Sequence, residues 1–234
     1  MWRKGVLLLC LSVALIGDIV FAQTDYSADI VDLQQTGNPV LAKLYVSRDK
    51  RRIEFQPASG KRALISPLRP PAGQKDPLEV DISGVGKVII LNIADKTSVL
   101  LEPDQKFYLE TSWGDPLPSG LYIQYVYGFT GDAEDFCPGW IQRIKSDGAT
   151  CKKAGHESVD GRRAVRYEES VDGGTVSVWF DAGLHALLRR TSNRTSTELR
   201  NVREGPQPTS LFEVPKGYSP MPPLGGIVGR YEPE

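Results

Sequence analysis

Residues 41–56 read LAKLYVSRDKRRIEFQ and carry the clearest secondary-structure pattern in the sequence. Apolar residues alternate with polar ones in both halves of the stretch, at Leu44, Val46, Ile53 and Phe55. Alternation with a period of two is typical of a strand that has one buried face. Asp49-Lys50 lies between the halves, and polar pairs of this kind favour a tight turn. The stretch is therefore predicted to form a β-hairpin.

Seven further stretches are predicted strands: 87–93, 97–101, 106–110, 163–168, 175–180, 187–191 and 197–202. Turn-forming groups separate several of them, for example Asp160-Gly161 and Asp172-Gly173-Gly174. Short strands with turns at intervals of about 8–12 residues are typical of sandwiches and barrels, whereas parallel sheets need long helical connections. The sequence therefore predicts a mainly β protein with a sandwich or a barrel-like curved antiparallel sheet.

The N-terminus reads MWRKGVLLLCLSVALIGDIVFA and has the three parts of a secretory signal peptide. A basic start (Arg3 and Lys4) precedes an apolar run, and the run ends at Gly17-Asp18. That run is shorter than the roughly 20 residues a membrane-spanning helix needs. Cleavage is predicted between Ala22 and Gln23, so the mature protein is expected to be periplasmic or secreted and to have no stable membrane span.

The remaining chain is predicted to be a single β domain over residues 23–218, followed by a flexible Pro/Gly-rich tail at 219–234. Within the domain, residues 66–86 are proline-rich and are expected to form a loop or a mobile flap. Residues 113–145 are rich in aromatic side chains and are expected to include one or two short helices, one of them around 121–127.

The mature chain is nearly neutral. Removal of residues 1–22 takes away Arg3, Lys4 and Asp18, and leaves 26 basic and 28 acidic residues of the 28 and 29 in the full sequence. This balance produces no strong field of either sign, and such a field is what draws a protein to nucleic acid or to an anionic membrane surface. No nucleic-acid partner is therefore predicted.

Two cysteines, Cys137 and Cys151, remain after cleavage. In an oxidising compartment a pair at this spacing is most simply a disulfide, and closing a loop of that size contributes about 3 kcal/mol. A zinc site is the first alternative, but it needs four ligands, and His156 and His185 stand at no recognised ligand spacing. A cysteine nucleophile paired with His156 is the second alternative. The disulfide is the preferred interpretation, and no metal, cofactor or catalytic residue is predicted.

One motif is typical of a class of hydrolases. Ser47-Arg48-Asp49-Lys50 spells the S-x-x-K of acyl-serine enzymes, which act in the predicted compartment. That motif belongs at the start of a helix and has partner motifs, S-D-N and K-T-G, which this sequence lacks. A hydrolase is therefore kept as a remote alternative.

Five strings resemble, in this order, a group of uncharacterised bacterial exported proteins: residues 26–56, DKTSVLLEPDQKFYLE at 95–110, GHESVDGRRAVRYE at 155–168, VWFDAGLHALLRR at 178–190 and LFEVPKGY at 211–218. That group is similar to the LolA/LolB-type family of outer-membrane lipoprotein carriers. The resemblance implies an incomplete antiparallel β-barrel, a half-barrel with a few short helices, that encloses an apolar interior. It supplies no catalytic signature and no matching cargo-contacting arginine.

The sequence leads to two main functional hypotheses. The first is a non-enzymatic binding or carrier protein that holds a lipid or a lipoprotein acyl chain in the half-barrel. Its predicted lining is Leu44, Val46, Ile53, Phe55, Val99, Leu101, Phe107 and Leu109. The second is an envelope structural or interaction domain with a filled core, in which those same residues are ordinary core and another envelope protein is the partner.

Overall fold

The computed structural model of the protein describes residues 24–56, 88–112, 133–144, 148–171, 174–181, 183–193 and 195–221. The strands are β1 (Tyr26–Asp32), β2 (Val40–Ser47), β3 (Lys50–Phe55), β4 (Val88–Asn92), β5 (Thr97–Glu102), β6 (Phe107–Ser112), β7 (Thr150–Val159), β8 (Arg162–Val171), β9 (Gly174–Asp181), β10 (Ala186–Ser192), β11 (Ser196–Glu204) and β12 (Ser219–Pro220). One α-helix, α1 (Phe136–Ile144), and one 3-10 helix (Thr209–Phe212) complete the described elements. No helix among these residues is long and apolar enough to cross a membrane.

All twelve strands lie in one sheet, in the order β12-β6-β5-β4-β3-β2-β1-β11-β10-β9-β8-β7. Two meanders, β1–β6 and β7–β11, are joined because β1 pairs antiparallel with both β2 and β11. Every pairing is antiparallel except the short one between β12 and β6. The predicted mainly β, antiparallel architecture is confirmed, and the described sheet is open, with β7 at one edge and β12 at the other.

Turn chemistry fixes the strand registers. Asp160-Gly161 joins β7 to β8 with φ of 47° and 77°, the left-handed pair that a two-residue hairpin requires. The β2–β3 hairpin turns at Arg48-Asp49, one residue earlier than predicted, and Arg48 has a φ of 48°. Lys96 and Lys106 also have positive φ and end the β4–β5 and β5–β6 turns. The turn residues between strands therefore fix the strand registers mainly through their local backbone conformation.

The nine predicted strands, two of them in the hairpin, correspond to β2–β6 and β8–β11 with small shifts at their ends. The strand prediction omitted β1, although this strand joins the two meanders. The described helix lies at Phe136–Ile144, within the aromatic segment, whereas the helix expected around 121–127 and the proline-rich segment 66–86 lie outside the described residues. Ser219 and Pro220, predicted to open the tail, instead pair with β6.

The sheet has two faces with different coverings. The face on which α1 packs, here called the helix face, carries the larger apolar cluster, including Ile30, Leu44, Ile53 and Ile89. The opposite face, here called the strap face, carries a smaller cluster of Val88, Ile90, Leu101 and Phe212. Strand residues reach opposite faces in alternation, so β4, which is buried on both, reads as a continuous apolar run.

Helix α1 is held against the sheet by covalent and aromatic contacts. The predicted disulfide between Cys137 and Cys151 is confirmed and links α1 to β7, with a Cα–Cα distance of 5.4 Å. The Phe136 ring lies 4.4 Å from that of Phe180 and 5.3 Å from that of Tyr167. The Tyr167 hydroxyl donates a 2.7 Å hydrogen bond to the Ala133 carbonyl, which fixes the chain just before the helix.

Residues 205–221, here called the strap, return across the strap face. Phe212 is buried among Val88, Ile90 and Leu101, and the Arg52 side chain donates a 2.8 Å hydrogen bond to the Leu211 carbonyl. The strap ends as β12, where the Met221 amide donates to the Tyr108 carbonyl at 2.7 Å. The C-terminal segment therefore covers one face and one edge of the sheet.

Both edges of the sheet carry features that oppose further strand pairing. Pro220 lies in β12 and has no amide hydrogen to offer an incoming strand. Strand β7 carries Lys152 and Lys153 next to a register shift between Lys153 and Gly155. Lysines and bulges are common devices that keep an edge strand from joining another sheet.

We expect Phe212→Ala to lower the free energy of unfolding by about 3 kcal/mol, because truncating a buried phenylalanine leaves a cavity and loosens the strap. Met221→Ala is the control, since Met221 is exposed and its backbone hydrogen bond is retained. Urea unfolding of both variants measures the difference. Equal effects would show that the strap is not anchored through Phe212.

Candidate functional site

The candidate site is the helix face of strands β1–β6, where two neighbouring rows of side chains differ in chemistry. Residues directly opposite one another in adjacent antiparallel strands form a row on one face. One row, here called the apolar row, consists of Ala28, Leu44, Ile53, Ile89, Leu100 and Leu109. Most of it is deeply buried, while Leu109 is 41% exposed. This row is a continuous set of hydrocarbon side chains across six strands.

The next row along the strands, here called the polar row, consists of Tyr26, Val46, Arg51, Leu91, Ser98 and Thr111. Four of these six side chains carry hydrogen-bonding groups. The Ser98 and Thr111 hydroxyls bond to each other at 2.7 Å. The helix face of β1–β6 is therefore amphipathic, with a polar row directly beside an apolar one.

Tyr26 is the most unusual member of the polar row. Its side chain is 0% exposed, and its hydroxyl has no hydrogen-bond partner in the part of the chain that the structure describes. Burial raises its pKa to about 12, an effect partly opposed by the positive charge of Arg51. The phenol is therefore protonated at neutral pH and remains a hydrogen-bond donor within the core.

Arg51 places a positive charge in the same row. The residue is 2% exposed, and its Nη1 donates to the carbonyls of Arg48 and Lys50 at 2.6 and 2.8 Å. These backbone contacts hold the guanidinium close to the hairpin turn. A buried arginine requires such polar partners, because moving a charge out of water is costly.

Asp181 and Arg162 also influence Tyr26 electrostatically, and they form an ion pair. The Asp181 Oδ2 accepts from Arg162 Nε at 2.6 Å, and its Oδ1 accepts from the amides of Gly183 and Leu184 at 2.7 and 3.1 Å. Arg162 bonds in addition to Glu204 at 2.8 Å. The carboxylate of Asp181 is thus engaged on one oxygen by Arg162 of β8 and on the other by amides of the β9–β10 turn.

The structure divides the predicted lining between the two faces. Register places these six on the helix face: Leu44, Val46, Ile53, Phe55, Phe107 and Leu109. Val99 and Leu101 belong to the cluster on the strap face, where they pack with strap residues. Strand β5 has apolar side chains at three successive positions, Val99, Leu100 and Leu101, so alternation alone does not identify which face is which. The predicted cleavage site, Ala22 and Gln23, lies outside the described residues.

Sequence reasoning missed Tyr26 and Arg51 as site residues. A usable signal existed for Arg51, since it falls in the same alternating set as Ile53 and Phe55 and is the one charged residue of that set. Such a charge on the buried side of a strand marks a position with a polar requirement. Tyr26 carried no comparable signal, because its strand was not predicted.

The cysteines and His156, which the sequence singled out as chemically capable, are engaged by partners in the structure. Both Cys137 and Cys151 are consumed by the disulfide. His156 Nε2 lies 2.8 Å from Glu134 Oε1, and Lys153 contacts the other carboxylate oxygen. These two hydrogen bonds lower the pKa of the exposed Glu134 to about 2, and the bond to His156 has the larger effect. The cluster links the chain before α1 to β7, and the described ranges contain no group of three or more metal-ligating residues.

The S-x-x-K motif lies at the β2–β3 hairpin. Ser47 ends β2 and its hydroxyl donates to Asp25 Oδ2 at 2.9 Å, while Lys50 begins β3. The motif requires its serine at the start of a helix, where the lysine one turn later reaches the hydroxyl. In this chain the two residues are register partners across the hairpin.

On the strap-face side of the second meander, Trp179 lies between two arginines. The guanidinium carbons of Arg166 and Arg189 lie 5.2 and 5.4 Å from its ring centre, and its indole nitrogen donates to Glu157 at 2.8 Å. Arg189 in turn pairs with the buried Glu198. Every charge named here has an opposite partner, so this ladder acts as a stabilising cover for the indole.

No protein-family model matches the chain, and no curated protein is significantly similar to it. Two structures of PNGF-II, in space groups C2 and P21, align with TM-scores of 0.42 and 0.45 at 13% and 14% identity. The alignments cover 84% and 85% of this chain but 30% and 31% of the PNGF-II chains. The chain thus spans about a third of their length, and similarity at this level assigns no function.

We expect Tyr26→Phe to raise the free energy of unfolding by about 1 kcal/mol, because it removes a buried hydroxyl that has lost its hydration without gaining a partner. Tyr167→Phe should lower it by about 1–2 kcal/mol, because the Ala133 carbonyl loses its donor. Chemical denaturation of the two variants provides a matched comparison. Destabilisation by Tyr26→Phe would reveal a hydrogen bond to its hydroxyl.

Alkaline pH provides a second test of Tyr26. Its pKa is about 12 in the folded protein and 10.0 for the ordinary residue, so the unfolded chain ionises first as pH rises. The stability due to protonated Tyr26 is therefore fully present below pH 10 and is lost as pH rises through 12. Between pH 10 and 12 the free energy of unfolding of the wild type should therefore fall by about 2–3 kcal/mol relative to that of Tyr26→Phe. If the free energies of unfolding of the wild type and of Tyr26→Phe change equally with pH over this range, Tyr26 ionises normally.

Proposed function

We propose that this protein is an exported, non-enzymatic binding or carrier protein that holds the acyl chain of a lipid or lipoprotein against the helix face. The observation that carries the proposal is the apolar row, which runs unbroken across six strands. Extended apolar surfaces with a few convergent polar groups are the common form of binding sites for apolar ligands.

The geometry of the covering layer supports this proposal. A sheet with an apolar face needs a second layer, and the described second layer on the helix face is α1. Nine residues of helix extend over about 14 Å. Helix α1 contacts β7, β8 and β9, whereas β3 lies five strands beyond β9, about 24 Å away along the sheet. The apolar row therefore lies far from α1 when measured along the sheet.

The finer architecture belongs to the same proposal. The resemblance to LolA/LolB-type carriers implies that the sheet curves into a half-barrel, with the helix face inside. Curvature of an open twelve-strand sheet about this face is consistent with its strand number, since large sheets curl as twist accumulates. The disulfide is compatible with the predicted export to the periplasm or beyond.

An envelope interaction domain is the second candidate, and it has weaker support. Docking by strand addition needs an accessible edge, and both edges carry opposing features in Pro220 and in the lysines and bulge of β7. A hydrolase has the least support, because Ser47 and Lys50 face each other across a hairpin.

The proposal is tested with one pair of variants on strand β5. Leu100 and Val99 are adjacent and partly buried, and they lie on the helix face and the strap face respectively. Long-chain fatty acid at a hundredfold excess over its Kd should stabilise the delipidated wild type by about 2.7 kcal/mol, and butanoate much less. Leu100→Glu should abolish this stabilisation, because an unpaired charge opposes acyl burial, whereas Val99→Glu should retain it.

Thermal melting with and without ligand measures the effect, and titration calorimetry provides a second readout. Each variant is compared with its own ligand-free melting temperature, which removes any intrinsic loss of stability. Absence of stabilisation of the wild type by any long-chain lipid would favour the interaction domain. Equal loss of the ligand-dependent stabilisation in Leu100→Glu and Val99→Glu would show that the ligand does not bind at the helix face.

A further inference from the structure

We infer that the ligand is an amphiphile with an anionic head group, a carboxylate or a phosphate, which Tyr26 and Arg51 bind at the polar row while its chain lies along the apolar row. This inference rests on the proposed function and adds the chemistry and the orientation of the ligand.

The spacing of the two rows fits such a ligand. Successive residues on one face of a strand are about 6.8 Å apart, so the polar and apolar rows are immediate neighbours. Tyr26 and Arg51 occupy β1 and β3, with β2 between them, and their Cα atoms are therefore about 9.6 Å apart across the sheet. Two long side chains at this separation are able to reach one head group between them.

The hydrogen-bonding groups of the polar row favour a head group with a negative charge. Arginine has only donors, and a protonated tyrosine hydroxyl is a donor with a single hydrogen to give. Tyr26 is kept protonated by burial, and its hydroxyl has no partner within the described ranges. Donors in an apolar environment favour an acceptor, and charge-assisted bonds to an anionic oxygen are about twice as strong as neutral ones. A carboxylate or phosphate oxygen would give the Tyr26 hydroxyl its missing partner.

The nearby negative charge does not oppose this arrangement. Asp181 is the one acid that raises the pKa of Tyr26, and both of its carboxylate oxygens are engaged by Arg162 and by backbone amides. The positive charges of Arg51 and Arg162 both lower the pKa of Tyr26, so both cations favour negative charge at its hydroxyl.

The test compares three ligands with the same sixteen-carbon chain: hexadecanoate, hexadecyl phosphate and hexadecanol. Dissociation constants are measured for the delipidated protein by titration calorimetry. We expect both anions to bind at least tenfold more tightly than the alcohol. Hexadecanoate binding better than the phosphate would identify a fatty-acid head group, and the reverse order a phospholipid-type head group.

Tyr26→Phe should reduce the preference for anions over the alcohol about tenfold, because a hydrogen bond to an anionic oxygen is stronger than one to a neutral hydroxyl. Tyr45→Phe is the matched control, because Tyr45 lies on the neighbouring strand β2 but packs on the strap face. It should leave the preference intact. Arg51→Lys, which keeps the charge, should retain part of the preference if it folds, and Tyr26→Phe decides the question if it does not.

The outcomes separate this inference from the proposed function. Equal affinity for all three ligands would overturn the anionic head group and leave the acyl-binding function standing. An unchanged preference in Tyr26→Phe would overturn the assignment of the head group to the polar row. Absence of binding by all three ligands would overturn the proposed function and this inference together.

Discussion

The antiparallel pairing of β1 with both β2 and β11 is the interaction on which the rest of the structure depends. Each of the two meanders is local in sequence, but β1 and β11 are about 170 residues apart and meet through antiparallel strand pairing. This pairing makes one sheet out of two and continues the helix-face cluster across the junction through Ile30 and Leu199. The surface proposed to bind a ligand lies on β1–β6, and this pairing continues the apolar helix face beyond it into the second meander.

A sheet this wide must be covered on both faces, and the chain does so unequally. On the strap face, Phe212 packs into a small apolar cluster, and Arg166 and Arg189 cover the indole of Trp179. On the helix face, α1 is fixed at one end by a disulfide and by aromatic contacts. The polar row breaks the apolar character of this face at a cost in stability, since a buried phenol hydroxyl without a partner is unfavourable. Such local costs tend to occur where function requires them.

The sequence by itself determined the strands and their turns. Alternation of apolar residues defined the hairpin of β2 and β3, and turn residues such as Asp160-Gly161 separated the later strands because their backbone preferences are local. The disulfide was also predictable, since two cysteines in a predicted oxidising compartment leave one pairing. Strand β7 was harder to recognise because it is an exposed edge strand, in which a buried face scarcely marks the pattern.

The tertiary structure alone decided which face of each strand lies in which cluster, and therefore the candidate site. In β5, three successive apolar residues fit either face, and only pairing with β4 and contact with the strap assign Val99 and Leu101 to one side and Leu100 to the other. Tyr26 and Arg51 become neighbours because strand register aligns them across β2. Register depends on hydrogen bonds between segments distant in sequence, and single-sequence periodicity carries no information about which segments will pair.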